Sequence, residues 1–166
     1  MASQKDIITL PHPSLRTVSK RVGYITNDIN KLLTSMSEAL LDWEDHREHE
    51  VGVALAAVQI NELKKVVIVR NDFDNKEDRT FMVLINPEIT KYEGRVIEDY
   101  EGCLSIKDIY GKVPRYEKIR VKAKNLKGED FRVTLEGFPA RILQHEIDHT
   151  KGIVFVDHIK ENKNAF

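Results

Sequence analysis

The chain has 166 residues, 32% of them charged, with a formal net charge of -1. That length suits one domain that buries its core without disulfide or other staples. The near-neutral balance offers no cationic excess for a phosphate backbone or an anionic membrane surface, so dedicated nucleic-acid binding and membrane association are disfavoured.

Met1 to Asp6 lacks the apolar core of a secretion signal, and no later apolar run is long enough to cross a bilayer. A soluble, unsecreted protein is expected. Next, Ile7 to Arg16 carries Pro11 and Pro13, which predict an extended segment leading into a turn, with His12 an ordinary loop histidine. From Thr26 to Trp43, Ile29, Leu32, Leu33, Met36, Leu40 and Leu41 recur at helical spacing against a polar face. Thr26 or Asn27 is placed to cap this helix, and Asp28 suits its positive end. Asp42 to Glu50 is too charged to bury and reads as a solvated loop, His46 and His49 included.

Composition then turns small and apolar over Val51 to Val58, ending in Gln59. A tightly packed helix start accounts for most of this stretch, but a side-chain amide closing it needs a partner or a task. Val66 to Val69 and Phe81 to Ile85 are short β-branched runs joined by a polar loop, and Asn86-Pro87 is read as the end of the second. Val96 to Glu101 forms another extended segment leading into Gly102-Cys103-Leu104-Ser105. Lys118 to Lys124 and Phe131 to Leu135 alternate around Gly128, the pattern of a hairpin with one wet face.

After Gly137 the pattern is helical again, with Pro139 in the first turn, Ile142, Leu143 and Ile147 toward the core, and Gly152 as the stop. This helix carries Gln144-His145-Glu146-Ile147-Asp148-His149. Four residues separate the two histidines, which puts both imidazoles on one face to grip a divalent ion. Glu146 is offset from that face, so it reaches a water on the metal and not the metal itself. The lone cysteine has no internal disulfide partner and is either an inert thiol or a ligand. A catalytic site needs a third protein ligand and an open position, and Cys103 in its glycine-flanked turn is the candidate. The expected architecture is α+β, with antiparallel β-sheets surrounding a central C-terminal helix that carries the metal motif, in one domain over residues 1–166.

Three segments in order, Gly52 to Gln59, Glu101 to Ser105 and Gln144 to His149, resemble the three motifs of the peptide deformylases, and the likeness runs from Leu10-Pro11-His12-Pro13 to Phe155-Val156-Asp157. The resemblance implies hydrolysis of the formyl group from the N-terminal formylmethionine of new polypeptides. Fe²⁺ is the implied ion, with Zn²⁺ or Ni²⁺ as substitutes. Cys103, His145 and His149 would hold the metal, and its bound water, deprotonated with help from Glu146, would attack the formyl carbon. The side chain of Gln59 and the backbone N–H of Leu104 would stabilise the oxyanion. The backbone around Val53, Ala54 and Gly102 would align the peptide, and Glu101 would pair with Arg115 to support the cysteine turn. Transient ribosome contact and a bacterial-type cytoplasm follow by the same likeness, an organelle reached through a removed transit peptide being the alternative.

Three positions depart from the family pattern. Ala54 replaces a second glycine, Thr150 a leucine and Lys107 a proline. Alanine at a position requiring positive φ would cost about 1 kcal/mol, while Thr150 and Lys107 would alter the pocket rim. The tail from Lys160 to Phe166 leaves little room for a C-terminal ribosome-docking helix, so weaker docking is expected. An H-E-x-x-H peptidase and a structural zinc module are the rival readings. The first gives Gln59 no purpose; the second lacks a fourth ligand.

Overall fold

A computed structural model of the chain describes residues 1–159; the tail considered above lies outside the described residues. Two helices, α1 (Asn27–Asp45) and α2 (Phe138–Thr150), pack on a mixed α/β framework with five strands. These are β1 (Ala54–Ala56), β2 (Val66–Arg70), β3 (Phe81–Cys103), β4 (Ile106–Lys124) and β5 (Asp130–Glu136), antiparallel and in chain order within one sheet. The several sheets expected are therefore one, because β3 and β4 continue through positions that looked like strand ends.

Asn86-Pro87 shows why. Asn86 adopts φ 52, and the β3–β4 register shifts between Ile85 and Glu88. A proline lacks an N–H for the ladder, but a bulge tolerates it, and asparagine accepts the left-handed region. The Asn86 side chain clasps Val22 through both the N–H and the carbonyl of that residue. Further shifts after Ile89 and Glu93 let the strand run on to the cysteine turn.

The run Val66 to Val69 lacks alternation for a physical reason: both faces of β2 are covered. Val67 and Val69 join Leu84, Ile119, Val121, Leu143 and Ile147 in the core under α2. Val66 and Ile68 join Ile29, Leu32, Leu33, Met36 and Leu40 under α1. By contrast, β5 alternates between half-buried and exposed residues and keeps the wet face expected of it. The helix α1 follows its predicted stripe, although Thr26 makes no side-chain capping bond, and Glu44, among the charges assigned to solvent, is fully buried.

The small apolar segment differs from expectation. Instead of a helix start it forms β1 and then a 3-10 turn over Ala57–Ile60. Alanine side chains let β1 lie closely between the two cores, where helical packing would leave the free edge of β2 uncovered. The helix α2 ends at Thr150, just before the predicted stop Gly152, whose φ is +74 and where a Cβ would come within 2.7 Å of the carbonyl oxygen of Arg16. No helix among the described residues is long and apolar enough to cross a membrane.

Candidate metal centre and its cavity

One turn of α2 separates His145 from His149, and their Nε2 atoms lie 3.2 Å apart. Cys103, at the end of β3, brings its Sγ within 3.4 Å of His149 Nε2, and the three ligand atoms all fall within 4.8 Å of one another. The cysteine is delivered by a tight reversal, Cys103 pairing with Ile106 across Leu104-Ser105. Ligand bonds of about 2.0–2.1 Å to nitrogen and 2.3 Å to sulfur in a tetrahedron place nitrogens about 3.3 Å apart, and nitrogen and sulfur about 3.5 Å apart. The His145–His149 and Cys103–His149 separations match that demand. Two imidazole nitrogens and a thiol converging so closely also repel or compete for a proton unless a cation lies between them.

His145 is oriented from behind. Its Nδ1 donates to Glu101 Oε1 at 2.9 Å, which leaves the Nε2 lone pair directed at the cluster. Burial alone would depress its pKa, but the hydrogen bonds with Cys103 and Glu101 prevail and raise it well above the usual histidine value. His149 moves oppositely, well below that value, because burial and the neighbouring His145 both disfavour its charged form. One proton cannot comfortably sit on each of two facing imidazoles.

Glu101 is the hub. It accepts from Arg115 Nε and Nη2 at 2.9 and 3.0 Å and from Arg141 Nη1 at 2.7 Å. Burial raises its pKa, yet the hydrogen bonds from His145 and Arg115 win and bring it down to about 2. The expected Glu101–Arg115 pair is therefore present, with two more partners than the sequence indicated. Arg115 also donates to Asp148 at 2.7 Å, and His158 reaches the same carboxylate oxygen at 2.9 Å. Gln144 donates to the carbonyl of Tyr116 and accepts from its N–H, fastening α2 to β4 like an extra strand.

Glu146 has no such support. It is buried, its Oε2 finds no hydrogen-bond partner, and burial raises its pKa to about 7. Gln59 is divided: its Oε1 accepts from the Ala56 N–H at 3.0 Å, closing the 3-10 turn. Its Nε2 donates to Ser105 Oγ at 3.2 Å and lies 3.6 Å from Cys103 Sγ.

A cavity of about 180 Å³ brings these groups together. Val53, Ala54, Gln59, Gly102, Cys103, Leu104, His145 and Glu146 all line it; His149 lies behind, fully buried. Its remaining walls include Tyr100, Phe138, Arg141 and Ile142, which sequence reasoning missed or placed in the core. A helical step of four would have found most of them: Phe138, Ile142 and Glu146 form one stripe of α2, and Arg141, His145 and His149 the next.

The departures fall differently from expectation. Ala54 has ordinary strand backbone, not positive φ, so its methyl carries no conformational cost and simply occupies cavity wall. Thr150 is buried, its hydroxyl donating to Ile147 O at 2.6 Å, and it lines neither the cavity nor the groove beside it. Lys107 does line that groove, a cleft of about 710 Å³ continuous with Val53, Gly102 and Leu104. His12 caps its turn by accepting from Ser14 N–H, and His46 and His49 are exposed.

The polypeptide deformylase family matches residues 4–165 of this chain. The chain belongs to that family. The peptide deformylase of Staphylococcus epidermidis strain RP62A is 37% identical over 174 residues, covering 98% of this chain and 94% of the relative. That of Aquifex aeolicus is 40% identical over 158 residues, covering 94% and 88%. Among solved structures, a peptide deformylase from Synechococcus elongatus in complex with actinonin superposes with a TM-score of 0.85 at 30% identity, covering 94% of this chain and 80% of that one. One from Legionella pneumophila gives 0.84 at 35% identity, covering 96% and 88%. Membership makes the chain an enzyme, a hydrolase of the deformylase class, and Cys103, His145 and His149 form a group able to hold a metal ion.

Proposed function

We propose that this protein removes the N-formyl group from the N-terminal formylmethionine of newly synthesised polypeptides, using a divalent ion held by Cys103, His145 and His149. The observation that carries this reading is a sulfur and two nitrogens within 4.8 Å of one another, two of them, from Cys103 and His145, lining a cavity that also holds an unpartnered buried carboxylate and a side-chain amide. A thiolate with two imidazoles suits a first-row transition ion and not Mg²⁺ or Ca²⁺, in keeping with Fe²⁺ and with Zn²⁺ or Ni²⁺ as substitutes. When bound, the ion supplies a Lewis acid that brings the pKa of water from 15.7 down toward about 7.

The chain's own groups divide the rest. Glu146 Oε2, without another partner, takes a proton from the attacking water and later returns it to the departing amine nitrogen. As the formyl carbon becomes tetrahedral its oxygen gains charge, and Gln59 Nε2 with the backbone N–H of Leu104 donates to it. The main chain of Val53, Ala54 and Gly102 aligns the peptide in extended form, and the unbranched methionine side chain lies against Phe138 and Ile142. Glu101 holds the His145 ring in its metal-facing tautomer.

We take residues 1–166 as one catalytic domain, with α2 the central element that the sheet surrounds. The relatives' bacterial sources support a bacterial-type cytoplasm and transient contact with the ribosome as nascent chains emerge. A structural zinc site is disfavoured because, among the described residues, the ligand group has three members and not four. The test is a deformylation assay on protein loaded anaerobically with Fe²⁺, using a formyl-Met peptide and Cys103→Ala as the control. Turnover that depends on Cys103 is expected; no turnover, or cleavage of unformylated internal bonds instead, overturns the proposal.

A further inference from the structure

Glu44 and Arg70 form an ion pair at 2.8 Å with neither side chain exposed. All five guanidinium N–H groups are used: Nη1 on Glu44 Oε1 and the Gly52 carbonyl, Nη2 on Glu44 Oε2 and the Lys76 carbonyl, and Nε on the Asp78 carbonyl. Glu44 Oε1 also accepts from the Gly52 N–H at 2.9 Å. Gly52 is thus held at both its backbone groups by the same pair. The main-chain N–H of Arg70 donates to the Val53 carbonyl at 2.7 Å, which fixes the next residue too. No side chain fits at position 52, since a Cβ would come within 2.8 Å of Leu40 Cγ and 3.1 Å of its carbonyl oxygen.

Two buried charges of this kind add little stability over apolar residues of the same volume, so their presence here calls for another reason. The segment they hold supplies it. β1 ends the sheet, and its edge away from β2 has no strand neighbour among the described residues. Val53 lines both the catalytic cavity and the adjoining groove, and Ala54 lines the cavity. An unpaired edge beside an open groove is a template for an extended chain. Its worth depends on the edge being already in place.

We infer that the Glu44–Arg70 pair is a positioning device for Gly52 to Ala54 and sets how tightly the enzyme holds the residues that follow the formylated methionine. This rests on the deformylase reading and on the alignment role of Val53. The pair touches neither the cavity nor the ligand group, so its loss should act on binding of the peptide and leave the chemistry.

The experiment compares two substrates, a formyl-Met tripeptide and formylmethionine amide, on Fe²⁺-loaded enzyme. In the double variant Glu44→Leu/Arg70→Met, KM for the tripeptide should rise by about tenfold or more, with kcat within about threefold and the short substrate changed by less than about twofold. Metal content should match wild type. Glu44→Gln, which keeps the shape, should show the same split at about threefold and decides the matter if the double variant does not fold. Lys124→Ala removes the exposed Lys124–Asp130 pair between β4 and β5, away from Glu44 and Arg70, and should leave both substrates unchanged. Equal losses on the two substrates, a fall in kcat at constant KM, or no change in either variant would overturn the inference alone. A wild-type enzyme without deformylase activity overturns this inference and the function together.

Discussion

Glu101 and Glu146 line the same cavity, are both buried, and have been given opposite surroundings. Glu101 accepts from two arginines and His145 and is held at about 2. Glu146 has an oxygen with no partner and is pushed up to about 7. Burial acts upward on both, so the difference lies in the donors arranged around each. A carboxylate that is fully paired orients a ring and stays charged; one left unpaired near neutrality is poised to take up and return a proton. Residue type therefore says little about the role of an acid here, and its partners say nearly everything.

The largest expected effect breaks the unpaired side of this comparison. Glu146→Gln keeps size and burial but removes proton transfer, and kcat should fall by about 10³-fold, within the range for general acid–base groups, with metal content unchanged by elemental analysis. Retention of most activity would transfer the proton role to another group. On the paired side, Glu101→Gln leaves Arg141 buried without its counter-charge and Arg115 with Asp148 alone. Stability should drop by about 3 kcal/mol in denaturant titration, and metal affinity by about 10- to 100-fold as the His145 ring loses its anchor. A variant as stable as wild type would reduce Glu101 to a bystander.

The two carboxylates should also impose opposite pH dependences on the metal-free protein. Glu101 is depressed in the folded state from its ordinary 4.5 to about 2. Its contribution, about 3 kcal/mol, is fully present above pH 4.5 and disappears as pH falls toward 2. Glu146 is raised from 4.5 to about 7, so its contribution is complete below pH 4.5 and is lost as pH rises through 7. Melting curves should show Glu146→Gln gaining on wild type between pH 5 and pH 8, while Glu101→Gln is the weaker protein throughout that span and converges on wild type only in acid. Parallel pH profiles for the two variants would mean that the two environments are alike.

Much of this centre is legible in the amino-acid sequence. The four-residue spacing of His145 and His149, the lone Cys103 and the amide of Gln59 each carry a chemical demand that few folds satisfy, and the fold brings them together, with His149 behind the cavity that the other three line. What stayed hidden depends on partners distant in sequence. Glu44 lies in a run of charges that by composition belongs in water, yet Arg70, 26 residues later, gives it a buried counter-ion. The Val51 to Val58 stretch looked helical because small residues pack closely in either structure; only the free edge of β2 selects a strand. Asn86-Pro87 is a strong local stop signal, overridden because β4 supplies a partner on the far side of the bulge.

The smallest effect is expected on the far side of α2. Thr150 follows the ligand His149 directly, and a sequence comparison places it among the departures that would reshape the pocket. Its buried hydroxyl instead turns back to Ile147 O, and the cavity does not reach it. Thr150→Val preserves shape and removes one local hydrogen bond to a carbonyl, a loss of about 1 kcal/mol at most. Stability should therefore fall slightly, while KM for a formyl-Met tripeptide stays within about twofold of wild type. Ala54→Gly, which deletes a methyl from the cavity wall, should move KM more than this. If the threonine variant shifts KM and the glycine variant does not, α2 passes changes to the cavity through its buried face, and the roles of Glu101 and Glu146 can no longer be assigned from their immediate partners.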